Sequence, residues 1–325
     1  MKFYFAPMEG LTLYAFRQTH NSFFQGIDKY YTPFLVANQT LHFKKKEIRE
    51  ILPENNRDMN VVPQVLSNKA EEFLWAVRTI VGYGYKEINL NLGCPSPTVV
   101  TRGRGAGFLA DTDRLDRFFD EVFNSLSLDP EIQKVSISVK TRTGLNDHAE
   151  AEALMEVYNR YPISELIIHP RRKTDLYKGS PDWDVFEAMK DVSAHPVCYN
   201  GDICSPEDYQ KLIDSFPDLD AVMIGRGLIR DPSLVEMIQE CERGTGANKT
   251  SQTAAYNKNE KLRKYLDTLF KEYSRVFSGE NQTVSKMKEI WYYMGDMFPE
   301  SEKSLKMIKK ARTYEQYLAA VSSIL

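Results

Sequence analysis

A chain of 325 residues, 42% hydrophobic and 27% charged, has the composition of an ordinary globular protein and is long enough for one large α/β barrel or two domains. No run approaches the roughly 20 apolar residues that span a bilayer, and Pro7 and Glu9 end the opening apolar stretch before signal-peptide length, so a cytoplasmic protein is expected. Net charge is −3, but residues 246–325 hold 14 Lys and Arg against 9 Asp and Glu; that tail carries +5 and leaves −8 for the rest, an asymmetry that hints at a polyanionic partner.

In chain order, short runs rich in Val, Ile and aromatic residues recur at Phe3–Met8, Lys29–Val36, Val61–Leu66, Glu87–Leu92, Val135–Thr141, Glu165–Pro170, Pro196–Gly201 and Ala221–Gly225. Segments between them, such as Lys69–Val81, Thr112–Leu126 and His148–Tyr161, place apolar residues at i, i+3 and i+4. Asp113, Ser180 and Ser205 stand where N-caps are expected, with Pro206 in a first turn. Eight alternations of strand and helix predict a (β/α)8 TIM barrel over residues 1–243. A doubly wound sheet is the alternative, but no GxGxxG follows the first strand. Gly244 to Asn248 reads as a linker, and 251–325 as a small all-helical domain.

In such a barrel the active site lies where the strands end. Those ends here carry Pro7-Met8-Glu9-Gly10, Gln64, Asn91 with Cys94, Lys140 with Arg142, His169 with Arg171, Asn200-Gly201-Asp202 and Gly225-Arg226-Gly227. Cys94, held between Gly93 and Pro95, is fixed and open to whatever occupies the site; the bland alternative is a buried, inert thiol. Lys140 needs an anion or an electron-rich ring, because an unpaired buried ammonium is costly. The glycine turns after strands seven and eight, with Arg226, suit a phosphate, although either could be a plain turn. Cysteines 94, 198, 204 and 241 lack paired spacing, and His20, His42, His148 and His195 are isolated, so neither a disulfide framework nor a metal site is expected.

Taken together, Ala6-Pro7-Met8-Glu9-Gly10, Gln64, Asn91-Leu92-Gly93-Cys94-Pro95, Gly105-Ala106, Lys140, Ile168-His169, Tyr177-Lys178-Gly179, Asp182-Trp183, Asn200-Gly201-Asp202 and Met223 to Gly227 resemble the bacterial type of tRNA-dihydrouridine synthase. The resemblance runs from Ala6 to about Pro232, and the family's C-terminal helical RNA-binding domain agrees with the basic tail. One departure is Pro170, where the family has glycine after the histidine; Arg171 and Lys173 keep the basic pattern. The resemblance implies FMN, with NADPH as reductant. It implies that Pro7, Met8, Gln64, Lys140 and His169 line the flavin, and that Asn200, Gly201, Asp202, Gly225 and Arg226 hold its phosphate.

The implied reaction reduces the C5–C6 double bond of a uridine flipped out of tRNA. Cys94 is the expected acid at C5, since a free thiol with a pKa near ~8.5 is mostly protonated at neutral pH. Asn91, Arg142, Tyr177 and Arg171 are expected to contact the substrate, as are Lys286 and Lys288 with other tail lysines at the RNA phosphates. A monomer without membrane or metal is expected. Three alternatives stay open on sequence: an FMN barrel acting on a free pyrimidine, a non-catalytic RNA-binding barrel, and an aldolase using Lys140 as a Schiff base.

Overall fold

The computed structural model describes residues 1–244 and 252–325. Ten parallel strands form one sheet: β1 (Lys2–Phe5), β2 (Lys29–Tyr31), β3 (Leu35–Val36), β4 (Val61–Val62), β5 (Gln64–Leu66), β6 (Glu87–Leu92), β7 (Ser136–Gly144), β8 (Leu166–Arg172), β9 (Val197–Tyr199) and β10 (Ala221–Ile224). Their order is β3-β5-β6-β7-β8-β9-β10-β1-β2-β4. Pro63, which has no N–H for the ladder, divides one strand into β4 and β5; Pro33 lies between β2 and β3 in the same way. The two ends of the sheet are therefore halves of the same strands, and eight strands close on themselves. The fold is a (β/α)8 TIM barrel followed by C-terminal helices, as the alternation of patterns predicts.

Two strands run further than expected. β7 continues to Gly144, with a register shift after Arg142, and β8 continues to Arg172. Lys140, Arg142, His169 and Arg171 thus lie within strands, where period-two geometry aims alternate side chains at one face. Two of the three expected caps move by two residues. Asp111, not Asp113, accepts the Arg114 N–H at the start of helix Thr112–Leu128, and Asp182, not Ser180, accepts the Val185 N–H before helix Trp183–Asp191. Only a residue outside the first turn can reach back to the free N–H groups of that turn, and Asp113 is already inside it. Ser205 caps helix Pro206–Ser215, with Pro206 at its first position.

The chain forms two compact units. One comprises Met1–Pro7, Lys29–Asp202 and Pro217–Met223; the other comprises Met8–Asp28, Ile203–Phe216 and Ile224–Leu325. In the first, Tyr4, Ala6, Tyr31, Val62, Ile167, Cys198, Ala221 and Met223 make a buried cluster contributed by six strands or their ends. In the second, helix Tyr14–Phe23 packs on helix Gln252–Val276, where the Tyr265 ring meets Phe16, Phe23 and Phe24 at centroid distances of 6.4, 5.9 and 5.3 Å. The expected linker lies, apart from Gly244, outside the described residues, as does Ser251. Among the described residues no helix is long and apolar enough to cross a membrane.

Candidate active site

β6 ends at Leu92, and the chain turns at Gly93-Cys94-Pro95. Every backbone hydrogen-bonding group of Gly93 and Cys94 is engaged. The Asn91 Oδ1 accepts both N–H groups, at 3.1 and 2.9 Å, which is the local bonding that favours asparagine at a turn. Arg142 Nε donates to the Gly93 carbonyl at 2.9 Å, and the Ala106 N–H donates to the Cys94 carbonyl at 3.0 Å. Gly105 makes that last approach possible: its φ is +54°, and a Cβ there would lie 2.8 Å from the Cys94 oxygen. The Cys94 thiol is half-buried at the tip of this braced loop. Asn91 in turn donates through Nδ2 to Gln64 Oε1 at 2.7 Å. Gln64 is fully buried, and its Nε2 donates to Asn89 Oδ1 at 2.8 Å.

Lys140 pairs in register with Asn91 across β6 and β7. Among the described residues it makes no ion pair; burial first, and then the neighbouring Arg142 charge, pull its pKa down to about 8. An ammonium in that state fits an electron-rich or anionic partner. Arg142, two residues on, is 1% exposed, and three of its five N–H groups reach backbone carbonyls: Gly93 through Nε, Arg172 through Nη1 at 2.8 Å and Leu176 through Nη2 at 3.0 Å. The guanidinium also lies 5.6 Å from the centroid of the Tyr177 ring. What Arg142 does in this arrangement is staple the cysteine loop to the loop after β8. That second loop carries Tyr177, 52% exposed, with its ring 6.3 Å from His169.

Arg171 is likewise buried rather than open to a large substrate. Its Nη2 donates to Asp202 Oδ2 at 2.6 Å and to the Gly179 carbonyl at 2.5 Å, and its Nη1 meets His169 Nε2 at 3.2 Å. An arginine can only donate, so that nitrogen of His169 accepts and the ring proton sits on Nδ1. The Arg171 Nε is buried without a hydrogen-bond partner among the described residues. Asn200 Nδ2 donates to the Met223 carbonyl at 2.8 Å, tying the ends of β9 and β10. Gly201 passes so close to Tyr199 that a Cβ would lie 2.0 Å from the phenol oxygen, and that oxygen accepts from Trp183 Nε1 at 3.0 Å. Glycine is required here because the Tyr199 ring fills the space that any side chain would need. Cys94, Gln64, Asn91, Lys140, Arg142, His169, Arg171, Tyr177, Asn200, Gly201 and Asp202 therefore belong to one compact unit, as does Pro7 at the end of β1.

The remaining expected residues belong to the helical unit. The Met8 N–H donates to Thr12 Oγ1 at 2.9 Å. Gly225 precedes the short helix Arg226–Arg230 as its cap. Lys286 donates to the Gly10 carbonyl at 3.1 Å and pairs with Glu289 at 2.7 Å, so its charge is engaged within this unit. Lys288 lines an open groove of about 940 Å³ with Trp291, Tyr292, Tyr293 and Lys309. Among the described residues no group of three or more His, Cys, Asp or Glu side chains is placed to hold a metal.

Asn89 and the buried role of Arg142 were not foreseen from sequence. A signal existed: Glu87, Asn89 and Asn91 alternate with Ile88, Leu90 and Leu92, and Ser138, Lys140 and Arg142 do the same on β7. Polar residues at period two on a strand between other buried strands mark an inward polar face.

The fold is shared with reductases. Over 78% of the chain it resembles morphinone reductase in complex with tetrahydroNAD (TM-score 0.50, 13% identity, 89% of that chain) and 2-naphthoyl-CoA reductase in complex with 2-naphthoyl-CoA (TM-score 0.56, 10% identity, 51% of that chain). Residues 4–323 match the family described as Dihydrouridine synthase (Dus), and the chain belongs to that family of enzymes. Among curated relatives it is 27% identical over 240 residues to tRNA-dihydrouridine synthase B of Pasteurella multocida (strain Pm70), covering 73% of this chain and 69% of the relative. It is 24% identical over 296 residues to a probable tRNA-dihydrouridine synthase of Rickettsia conorii (strain ATCC VR-613 / Malish 7), covering 89% and 83%.

Proposed function

We propose that the protein reduces uridine to 5,6-dihydrouridine in tRNA, with FMN as its cofactor, NADPH as reductant and Cys94 as the acid that protonates C5. The observation that carries this reading is the placement of a braced, half-buried thiol just past the end of β6 and, on the neighbouring strand β7, of Lys140, which makes no ion pair among the described residues, in the barrel of a family member. The residues present fit a flavin: among the described residues Lys140 makes no ion pair and the buried Arg171 Nε has no hydrogen-bond partner, two donors suited to an electron-rich or anionic group.

In this reading Pro7, Met8, Gln64, Lys140 and His169 hold the flavin ring system and its chain, while Asn200, Gly201, Asp202, Gly225 and Arg226 hold its phosphate. FMN, when bound, supplies the hydride that C6 of the uracil receives. Asn91 keeps the cysteine loop in place and presents the remainder of its amide to the base edge. Cys94 delivers the thiol proton to C5, and the thiolate recovers a proton from water. Lys140 stabilises negative charge that develops beneath the base. Arg142, buried, serves the substrate through the two loops it staples, holding the cysteine loop and the Tyr177 loop in place. Tyr177, projecting beside His169, offers an aromatic face to the flipped base. Arg171 acts on the substrate's surroundings by fixing His169 and Asp202.

Residues 251–325 are the proposed RNA-binding part, with Lys288 and Lys309 beside exposed Tyr292, a combination of charge and aromatic surface suited to a single strand. The test is mass-spectrometric mapping of dihydrouridine in RNA from cells with and without the gene, complemented by wild type or by Cys94→Ala. Loss of the modification at defined tRNA positions, restored by wild type and not by a flavin-retaining Cys94→Ala, is the expected result. Unchanged dihydrouridine in the deletion would refute the function, and full restoration by Cys94→Ala would refute the acid.

A further inference from the structure

The bonds that hold the cysteine loop continue downward through the barrel as one chain. Asn91 Nδ2 donates to Gln64 Oε1 at 2.7 Å, Gln64 Nε2 to Asn89 Oδ1 at 2.8 Å, and Asn89 Nδ2 to Ser138 Oγ at 3.0 Å. The Ser138 hydroxyl donates to Glu87 Oε1 at 3.2 Å. Glu87 is held by Lys29, whose Nζ lies 2.8 Å from Oε2 and 3.4 Å from Glu165; Glu165 accepts from the Tyr4 hydroxyl at 2.8 Å. Gln64, Asn89 and Ser138 sit side by side in register on β5, β6 and β7, and all three are fully buried.

The direction of this chain is over-determined. An amide side chain can be turned end for end, and neither orientation is self-evident. Here both termini are fixed by chemistry. A carboxylate paired with a lysine only accepts, so Ser138 must donate to Glu87, and its oxygen is left to accept from Asn89. Asn89 then turns its carbonyl to Gln64, Gln64 turns its carbonyl to Asn91, and Asn91 turns its carbonyl to Gly93 and Cys94. At the top the backbone N–H groups can only donate, which demands the same orientation.

We infer that Asn89 is a positioning residue for the cysteine loop: through it, the Glu87–Lys29 pair at the barrel floor anchors from below the amides of Gln64 and Asn91 that the loop N–H groups orient from above. Asn89 touches neither the thiol nor the substrate. Its effect on turnover comes through Gln64 and Asn91, and the inference rests on the reading of the Cys94 loop as the reacting loop.

The test compares Asn89→Leu with Asn89→Asp. Leucine fills the volume but gives Gln64 Nε2 no acceptor, so the Gln64–Asn91 pair loses its anchor to the barrel floor and the cysteine loop is held from above only. Buried aspartic acid, protonated, accepts from Gln64 and donates to Ser138, reproducing both bonds. Two quantities are read: the rate of Cys94 alkylation by iodoacetamide, followed peptide by peptide by mass spectrometry, and kcat and KM for dihydrouridine formation in tRNA. For Asn89→Leu, alkylation about tenfold faster and kcat about tenfold lower with unchanged KM are expected, with Asn89→Asp within about twofold of wild type. Wild-type alkylation in Asn89→Leu, or equal damage in both variants, would overturn the inference. If Asn89→Leu does not fold, Ser138→Ala decides, because it removes the acceptor of Asn89 without touching the loop: a rise of about threefold in alkylation supports the inference and no change overturns it. The alkylation readout needs neither flavin nor RNA, so a wild type that forms no dihydrouridine would refute the proposed function while leaving this inference to be judged on its own.

Discussion

Replacing Arg142 by methionine should loosen the loop after β8 while leaving the barrel folded. Two of the three arginine bonds hold it, one at Arg172 where it leaves β8 and one at Leu176 within it. Hydrogen bonds from a charged donor contribute roughly 2 kcal/mol each, and about half of that returns because methionine no longer buries a cation, leaving about 2 kcal/mol. That difference of about 2 kcal/mol corresponds to roughly 30-fold more frequent opening. Lys173 and Lys178 flank the stapled carbonyl of Leu176, so limited trypsin digestion followed by mass spectrometry reads the opening directly. Cleavage after these lysines should accelerate by about 30-fold in Arg142→Met, and by less in Arg142→Lys, which keeps one reach of the three. Wild-type cleavage rates in a folded Arg142→Met protein would refute the staple.

Three further outcomes follow from the same geometry. Lys140, held down to about 8, is charged below that pH and neutral above it, so FMN affinity measured by fluorescence quenching should fall between pH 7 and 9 in wild type and stay flat in Lys140→Gln. Gly201→Ala drives a methyl into Tyr199 and should cost about 2 kcal/mol in urea melts, a wild-type midpoint counting against the close approach. Burial holds His20 down to about 3, with its Nε2 3.1 Å from the Pro232 carbonyl. The unfolded chain therefore takes up a proton near pH 6.5 that the folded chain refuses, and stability should drop by about 1.4 kcal/mol per unit as pH falls from 6.5 toward 3. His20→Phe should flatten that part of the curve, and an unaltered slope would count against a buried neutral imidazole.

Much of this architecture was legible in the sequence because it depends on local periodicity. Each of the eight expected strand regions contains a strand of the barrel, since β-branched runs between helical segments have few other ways to bury both faces. The splitting of two strands was less visible, although Pro33 and Pro63 were there to be read as missing ladder donors. The caps at Asp111 and Asp182 were displaced because several carboxylates and hydroxyls compete near each helix start, and only the backbone decides which one reaches N3. At the candidate site, residue types pointed to a set of strand ends, but what each side chain meets depends on pairing across strands. Arg142 reads as a free cation in sequence; only the fold brings Gly93, Arg172 and Leu176 around it. Asn89 reads as one polar residue in an apolar strand until Gln64 and Ser138 stand beside it.

The backbone around Cys94 is held by the Asn91 carbonyl, the Arg142 guanidinium and the Ala106 N–H, and none of these contacts involves sulfur. Position 94 is in this sense a mount whose address is independent of its cargo. A hydroxyl, a selenol or a nitrile introduced by cyanylation would inherit the thiol's coordinates. The barrel thereby offers a place where acidity can be varied or a vibrational reporter installed while distance and orientation stay constant, which separates the proposed proton transfer from the geometry that surrounds it.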